Sequence, residues 1–429
     1  MNRVAVTGIG AVTPLGNDAG TTWRALVAGR SGVGPLETFD ASTMPVRIAG
    51  QVRDFDPASA GPARERRHLS RAALFAAAAA REALRSAGGW EAATDPYRRG
   101  VAVAGTVGRP ELQELVDMSH QLESSGYHDL YRQAPVDVLR RNQNLGTRAV
   151  AEAAGARGPM LSLSTACAGA AHAIGEAYRA IQEGEATLMV AGGFDALTTW
   201  MDVVGFSLLG ALTDRWNDEP ERASRPFDAE RSGFVLGEGA VFAVLEDWDA
   251  AVARGARIHA ELAGYGSSLN AYRITDSPPD GGGAVAAMRD ALEESGLGPD
   301  GIDYVVAHGT STPGNDLSET VAIKEVFREH AHELLVSSPK SMTGHLTSAA
   351  AGVNLVAALG ALREGVVPPT VNLDHPDPKL DLDYVPNRFR TRQVRAALVN
   401  AFAFGGTNAC FVVSAPGPAP EPLPAQEES

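Results

Sequence analysis

The chain has 429 residues, of which 44% are hydrophobic and 21% charged, and a formal net charge of −15. That length suits two domains or one large duplicated one, and the balance is that of an ordinary globular protein with a sizeable core. The acidic excess disfavours nonspecific nucleic-acid binding. Two cysteines, Cys167 and Cys410, with no HExxH or CxxC spacing, exclude a cysteine zinc site and a secreted disulfide scaffold.

The N-terminal stretch MNRVAVTGIGAVTPLG lacks the long apolar run of a signal peptide. No run of about 18 apolar residues could cross a membrane, so a cytoplasmic protein is expected. Val4–Val6 reads as a short strand, followed by a glycine-rich loop over Gly8, Gly10 and Gly16. The GxGxxG spacing and its downstream acid are missing, which rejects a dinucleotide site. Trp23–Ala28 reads as helical, and Ala63–Arg85 as one long helix with Arg64, Arg66, Arg67 and Arg71 at its start. That basic cluster suits a solvated face or a landing site for an acidic partner. Gly100–Gly105 is a strand, and the polar stretch 109–148, with its Arg140–Asn144 run, gives no pattern.

The chain is organised around Leu161–Gly184, LSLSTACAGAAHAIGEAYRAIQEG. It reads as a strand, a Ser-rich turn, then a small-residue helix starting at Cys167. Free N–H groups and the helix dipole there favour a thiolate. The alternative is a cysteine that is merely a small buried hydrophobe. Strands follow at Thr187–Gly192 and Ala240–Leu245, separated by a loop that includes Ser224–Gly239. The charges of that loop, Arg225, Asp228, Glu230, Arg231 and Glu238, suit a structural ion-pair network. Glu246–Arg254 reads as helical and Ile258–Leu262 as a strand.

The pattern then recurs: strands Ile302–Ala307 and Leu334–Ser337, a Ser-rich turn ending at His345, and a small-residue helix Ser348–Glu364. The first helix closes on Ala-Ile-Gln-Glu-Gly and the second on Ala-Leu-Arg-Glu-Gly. This degenerate repeat points to a duplicated α/β unit, with Cys167 and His345 at similar helix starts and a pseudo-twofold bringing them to one site. Ala397–Val399 and Ala409–Val413 are strands around the loop Asn400–Asn408, and a disordered tail is expected from Pro416.

One cysteine and two histidines in small-residue turns, His308 and His345, suit a particular chemistry. An acyl group is held on sulfur while a second substrate loses CO2 and becomes a carbon nucleophile. Two Nε2–H donors stabilise its enolate oxygen without consuming a proton. A protease-like Cys/His/Asn set needs only one histidine.

The motifs TACAGA (165–170), HGTSTPGND (308–316), SSPKSMTGH (337–345) and NAFAFGGTN (400–408) stand in the order found in the β-ketoacyl-acyl carrier protein synthases. From Arg3 to about Val413 the chain resembles the elongating members of that family, within the thiolase superfamily. The resemblance implies two pseudo-symmetric βαβαβαββ halves in an α-β-α-β-α layering: residues 1–250 carrying the cysteine, 251–415 carrying the histidine pair, and a tail over 416–429. It implies decarboxylative Claisen condensation of an acyl group on Cys167 with malonyl-acyl carrier protein, in fatty-acid or type II polyketide elongation. His308 and His345 would promote decarboxylation, and the N–H groups of Cys167 and Phe404 would form an oxyanion hole. Lys340 would hold the charge balance with Glu319 as its carboxylate partner. Thr310, Thr312 and Thr275 would hold the phosphopantetheine arm. Phe404 and Phe206 would gate the acyl pocket, and Val107 would tune chain length near the dimer partner. Arg64, Arg66 and Arg67 would dock the acidic carrier protein. No metal or cofactor of its own is implied. The partners are the carrier protein and a second subunit, either an identical copy or a chain-length factor.

Two rivals differ at single residues. A non-catalytic chain-length-factor-like subunit would lack the cysteine, and a thiolase would use a second cysteine as base. Ala403 stands where the family's gating loop usually has glycine, and Gly210 where elongating fatty-acid enzymes often have arginine. The stretch Phe55–Leu84 also resembles type II polyketide ketosynthases.

Overall fold

The computed structural model describes residues 1–128 and 139–417. The expected disordered tail lies outside the described residues, Pro416 and Gly417 apart. Residues 129–138, part of the polar stretch without a pattern, also lie outside them.

Among the described residues ten strands form the main sheet: β1 (Val4–Val12), β2 (Arg99–Ala104), β3 (Met160–Leu163), β4 (Leu188–Ala196), β5 (Glu238–Asp247), β6 (Ala260–Leu269), β7 (Tyr304–Val306), β8 (Leu335–Ser337), β9 (Ala396–Phe402) and β10 (Thr407–Ser414). Their spatial order is β8-β7-β9-β10-β6-β1-β5-β4-β2-β3. From β1 outward, the first block pairs antiparallel, antiparallel, parallel, parallel. From β6 outward, the second block pairs in the same sequence. The two blocks join where β1 pairs antiparallel with β6, Val4 opposite Leu262. The repeat in the sequence is thus a symmetric sheet.

Four helices show the layers: α1 (Arg71–Ala87), α2 (Gly169–Gln182), α3 (Gly282–Ser295) and α4 (Ala350–Glu364). Side chains alternate across each strand. In β2, Val101 and Val103 face an outer core with α1, while Ala102 and Ala104 face a central core with α2 and α4. On the far side Val305 and Leu398 join α3 in a third core. The order is therefore helix, first strand block, central helices, second strand block, helix. A helix between the two blocks is buried on more than one face, which is why α2 and α4 are built from alanine and glycine.

Two sequence readings are corrected. The first strand does not stop at Val6; β1 runs nine residues through Gly8 and Gly10. Those glycines admit α1 to the sheet: a Cβ on Gly8 would lie 2.2 Å from Ala83 O, and one on Gly10 2.1 Å from Ala79 O. The long basic helix is also broken. Ala63–Arg66 is a single turn, and Ser70 then caps a new helix, its Oγ accepting the Ala73 N–H at 3.2 Å. Arg64–Arg67 therefore sits on a separate turn. Among the described residues no helix is long and apolar enough to cross a membrane.

Candidate active site

Both central helices begin in the same way. Ala166–Ala168 forms a tight turn into α2, and Thr347–Ala349 forms one into α4. Ala166 and Thr347 each hold φ of +45°. The symmetry therefore matches Cys167 with Ser348, not with His345, which lies three residues earlier. The left-handed residue turns the chain sharply, so that β3 delivers Cys167 to the centre of the molecule.

A cavity of about 220 Å3 opens there, and Cys167, His308, His345, Phe402 and Phe404 line it. The His308 and His345 rings meet edge to face, with centroids 5.4 Å apart and planes at 80°. Thr275, Thr310 and Thr312 also line the cavity, and the Thr310 and Thr312 hydroxyls bond each other at 2.8 Å.

Cys167 is buried, and its thiol is pushed up to about 11. Burial is the main cause; Lys340 opposes it, Asp195 adds to it, and the N–H groups of Phe404 and Cys167 oppose it. The expected thiolate at the helix start is thus corrected: desolvation outweighs the dipole and leaves a thiol at neutral pH. Both N–H groups act on the sulfur from close by.

Both histidines are held well below the usual imidazole range, by burial first and then by Lys340, with His345 also acting on His308. They are neutral at pH 7. The Thr347 N–H donates to His345 Nδ1 at 3.2 Å, which puts the ring proton on Nε2. Phe234 packs on His345 edge to face at 5.3 Å and Phe402 on His308 at 5.6 Å.

Lys340 is buried, and burial lowers its pKa to about 8, against the opposing fields of Glu319 and Cys167. Glu319 acts on Lys340 through its field, as a carboxylate partner, and the direct hydrogen bond of the ammonium goes elsewhere. Lys340 Nζ donates to His308 O at 2.6 Å. Glu319 instead accepts the N–H groups of His308 and Gly309, each at 2.7 Å, and Asn400 Nδ2 at 3.0 Å. The two charges grip the His308 backbone from opposite sides. Burial raises the Glu319 carboxyl. Asp316 extends the clamp by accepting the Thr310 N–H at 3.0 Å, with Arg231 beside it at 3.7 Å.

Phe404 stands 6.4 Å from Phe234, on a loop whose left-handed residues are Gly405 and Gly406, at φ of 86° and 83°. Ala403 is not left-handed, so its Cβ causes no backbone strain. Phe206 stands behind Phe234 at 5.8 Å and does not line the cavity. Val107 is 63% exposed and away from the lining. Arg64 and Arg67 are exposed and Arg66 half-buried, all apart from the cavity. Gly210 lines its mouth. Cys410 is fully buried behind the site, its Sγ donating to Asn400 Oδ1 at 3.2 Å, and its thiol is raised far above the usual range.

The Ser224–Gly239 charges are structural in placement. Arg225 and Asp228 pair at 3.0 Å with no exposure, Arg231 pairs with Asp377 at 2.8 Å, and Glu238 takes Arg71. Among the described residues no group of three or more His, Cys, Asp or Glu is placed to hold a metal ion.

Residues 1–251 match the N-terminal domain of β-ketoacyl synthases, and 259–374 match their C-terminal domain. The chain belongs to the β-ketoacyl synthase family. It is 43% identical over 95% of its length, and 96% of the relative's, to a 3-oxoacyl-[acyl-carrier-protein] synthase 2 of Synechocystis. The ishigamide ketosynthase/chain length factor superposes with a TM-score of 0.87 at 34% identity, covering 97% of this chain and all of that one. A type II polyketide ketosynthase in complex with its acyl-carrier protein and bound to a hexaketide gives 0.86 at 33% identity over 97% of this chain and all of that one.

The structure brings Cys167, His308 and His345 together at one cavity. Sequence reasoning missed Phe234, Phe402, Asn400 and Asp195 as parts of the site. Phe402 and Asn400 lay within a quoted motif, and that was their only signal. Phe234 and Asp195 carried none.

Proposed function

We propose that this β-ketoacyl synthase condenses an acyl thioester with malonyl-acyl carrier protein to give a 3-oxoacyl product two carbons longer. The observation that carries this reading is the grouping of Cys167 with two buried neutral histidines at one cavity, with His345 presenting Nε2–H.

The first step is thioester exchange. Cys167 Sγ attacks the acyl carbonyl, and its proton leaves with the carrier's thiol. The carbonyl oxygen takes the Cys167 and Phe404 N–H groups, an arrangement of the oxyanion-hole kind. Malonyl thioester then enters against His308 and His345. Its carbon–carboxylate bond breaks, CO2 leaves, and the electron pair becomes an enolate whose oxygen both imidazoles hold. Neutral imidazoles donate without giving up a proton. The enolate carbon attacks the acyl carbonyl, the C–S bond breaks, and Cys167 takes a proton from solvent. Lys340 and Glu319 fix the His308 main chain. Thr310, Thr312 and Thr275 hold the phosphopantetheine arm, which belongs to the carrier protein. Phe404 gates the pocket from its glycine-hinged loop.

The working protein is cytoplasmic and has a second subunit. Among the described residues, strand β3 is one of the two edges of the main sheet, and Met160 on it is 53% exposed, which supports a partner there. Val107 tunes chain length at that boundary, and Arg64, Arg66 and Arg67 dock the carrier protein. A chain-length factor as the second subunit is supported by the likeness to the ishigamide assembly.

The test pairs Cys167→Ala with Cys167→Gln. Cys167→Ala should form no acyl adduct and no 3-oxoacyl product, and a normal condensation rate would overturn the assignment. Cys167→Gln should still release CO2 from malonyl-carrier protein, because the histidines drive that step. A folded Cys167→Gln that releases none would mean the histidines act elsewhere.

A further inference from the structure

Asp195 stands at the end of β4 and is buried, at 1% exposure. Its Oδ1 accepts the Thr106 hydroxyl at 2.5 Å. Its Oδ2 accepts both the Thr347 hydroxyl and the Ser348 N–H, the latter at 2.7 Å. Thr347 holds φ of +45°, a conformation that a β-branched residue rarely adopts. The N–H of this same residue donates to His345 Nδ1.

The pieces form one chain of cause. A single carboxylate oxygen grips the side chain of the strained residue and the N–H that follows it. That grip fixes the Thr347 backbone, and the Thr347 N–H then occupies the acceptor nitrogen of His345. An imidazole whose Nδ1 accepts carries its proton on Nε2. The matching turn in the first half has Ala166 at the same φ, with no hydroxyl to hold. The carboxylate therefore serves the histidine side of the site.

We propose that Asp195 is a positioning residue for His345: it holds Thr347 left-handed and so keeps the Nε2–H tautomer facing the substrate. This rests on His345 acting on the malonyl thioester as described above. Asp195 touches no substrate in this role. It acts through Thr347.

The test uses the full chain and two readouts, CO2 release from malonyl-carrier protein and acylation of Cys167 from acyl-carrier protein. Asp195→Leu should slow CO2 release by on the order of 100-fold, the loss typical of one misplaced oxyanion donor. Acylation should not slow, because its donors are the Cys167 and Phe404 N–H groups and loss of the Asp195 charge removes one of the effects that raise the Cys167 thiol. Asp195→Asn keeps an acceptor oxygen and should recover most of the rate. The double variant Asp195→Leu/Thr347→Gly should recover about tenfold over Asp195→Leu, since glycine adopts a positive φ unaided. A purely structural role would slow both steps together and would not be rescued by the glycine.

A folded Asp195→Leu with normal CO2 release, equal losses in both steps, or no rescue in the double variant would each overturn the proposal. If Asp195→Leu does not fold, Thr347→Val decides. It keeps the shape and removes the hydroxyl, and a selective loss of CO2 release is expected; an unchanged rate overturns the positioning role. Absence of CO2 release from both wild type and Cys167→Gln would overturn the proposed function, and this role with it. Normal release from those two, with normal release from Asp195→Leu, overturns the positioning role alone.

Discussion

Replacing Lys340 with methionine separates its two effects on the site. Its ammonium holds His308 O at 2.6 Å and depresses both histidines. A hydrogen bond from a charged donor contributes about 1.5–3 kcal/mol, so its loss should slow CO2 release by roughly 10- to 150-fold. The pH profile is the sharper readout. Histidines held well below the usual imidazole range are already neutral at pH 7, so CO2 release should show no limb at the ordinary imidazole pKa. Lys340 titrates at about 8, and above that pH it loses the charge that holds His308 O. The wild-type rate should therefore fall as pH rises through about 8. In Lys340→Met that upper limb should disappear, leaving a slow, flat profile. The assay is conversion of malonyl- to acetyl-carrier protein in the Cys167→Gln background. A limb near pH 6.5 in wild type, or an upper limb that survives in Lys340→Met, would refute the reasoning.

Cys410→Ser should keep condensation near the wild-type rate, because the thiol is sealed behind Asn400 and takes no proton; loss of activity in a folded variant would restore a thiolase-like role. Gly10→Ala should destabilise the fold by about 1–3 kcal/mol in denaturant titration, since its Cβ would press on the α1 backbone. Reversing charge with Arg64→Glu and Arg67→Glu should raise KM for carrier-protein substrates with little change in kcat, and more so at low salt; an equal effect on phosphopantetheine thioesters without the carrier would contradict docking there.

The central chemistry was legible because its residues are rare. One cysteine and two histidines stand among small residues at turns, where a reactive side chain has room. The sheet symmetry was legible because each half repeats strand, Ser-rich turn and alanine-rich helix. What escaped the sequence depends on contacts between distant segments. Gly8 and Gly10 look like a loop until α1 is laid on them. Ser70 looks like helix interior, yet its cap bond divides the basic segment. The resemblance implies Glu319 as the carboxylate partner of Lys340, but not that both also hold the His308 backbone, which only the folded chain shows. Cys167 looks activated by its helix, and burial reverses that. Asp195 has no motif around it, and its meaning lies in Thr347, which is 152 positions away.

The most direct test of the condensing role is intact-protein mass spectrometry of the purified chain. It is mixed with a panel of acyl-carrier proteins and then with malonyl-carrier protein. An acyl adduct on Cys167, followed by its loss and a 3-oxoacyl product two carbons longer, is the expected result. A folded protein, tested alone and with a chain-length-factor partner, that gives neither adduct nor product would contradict it.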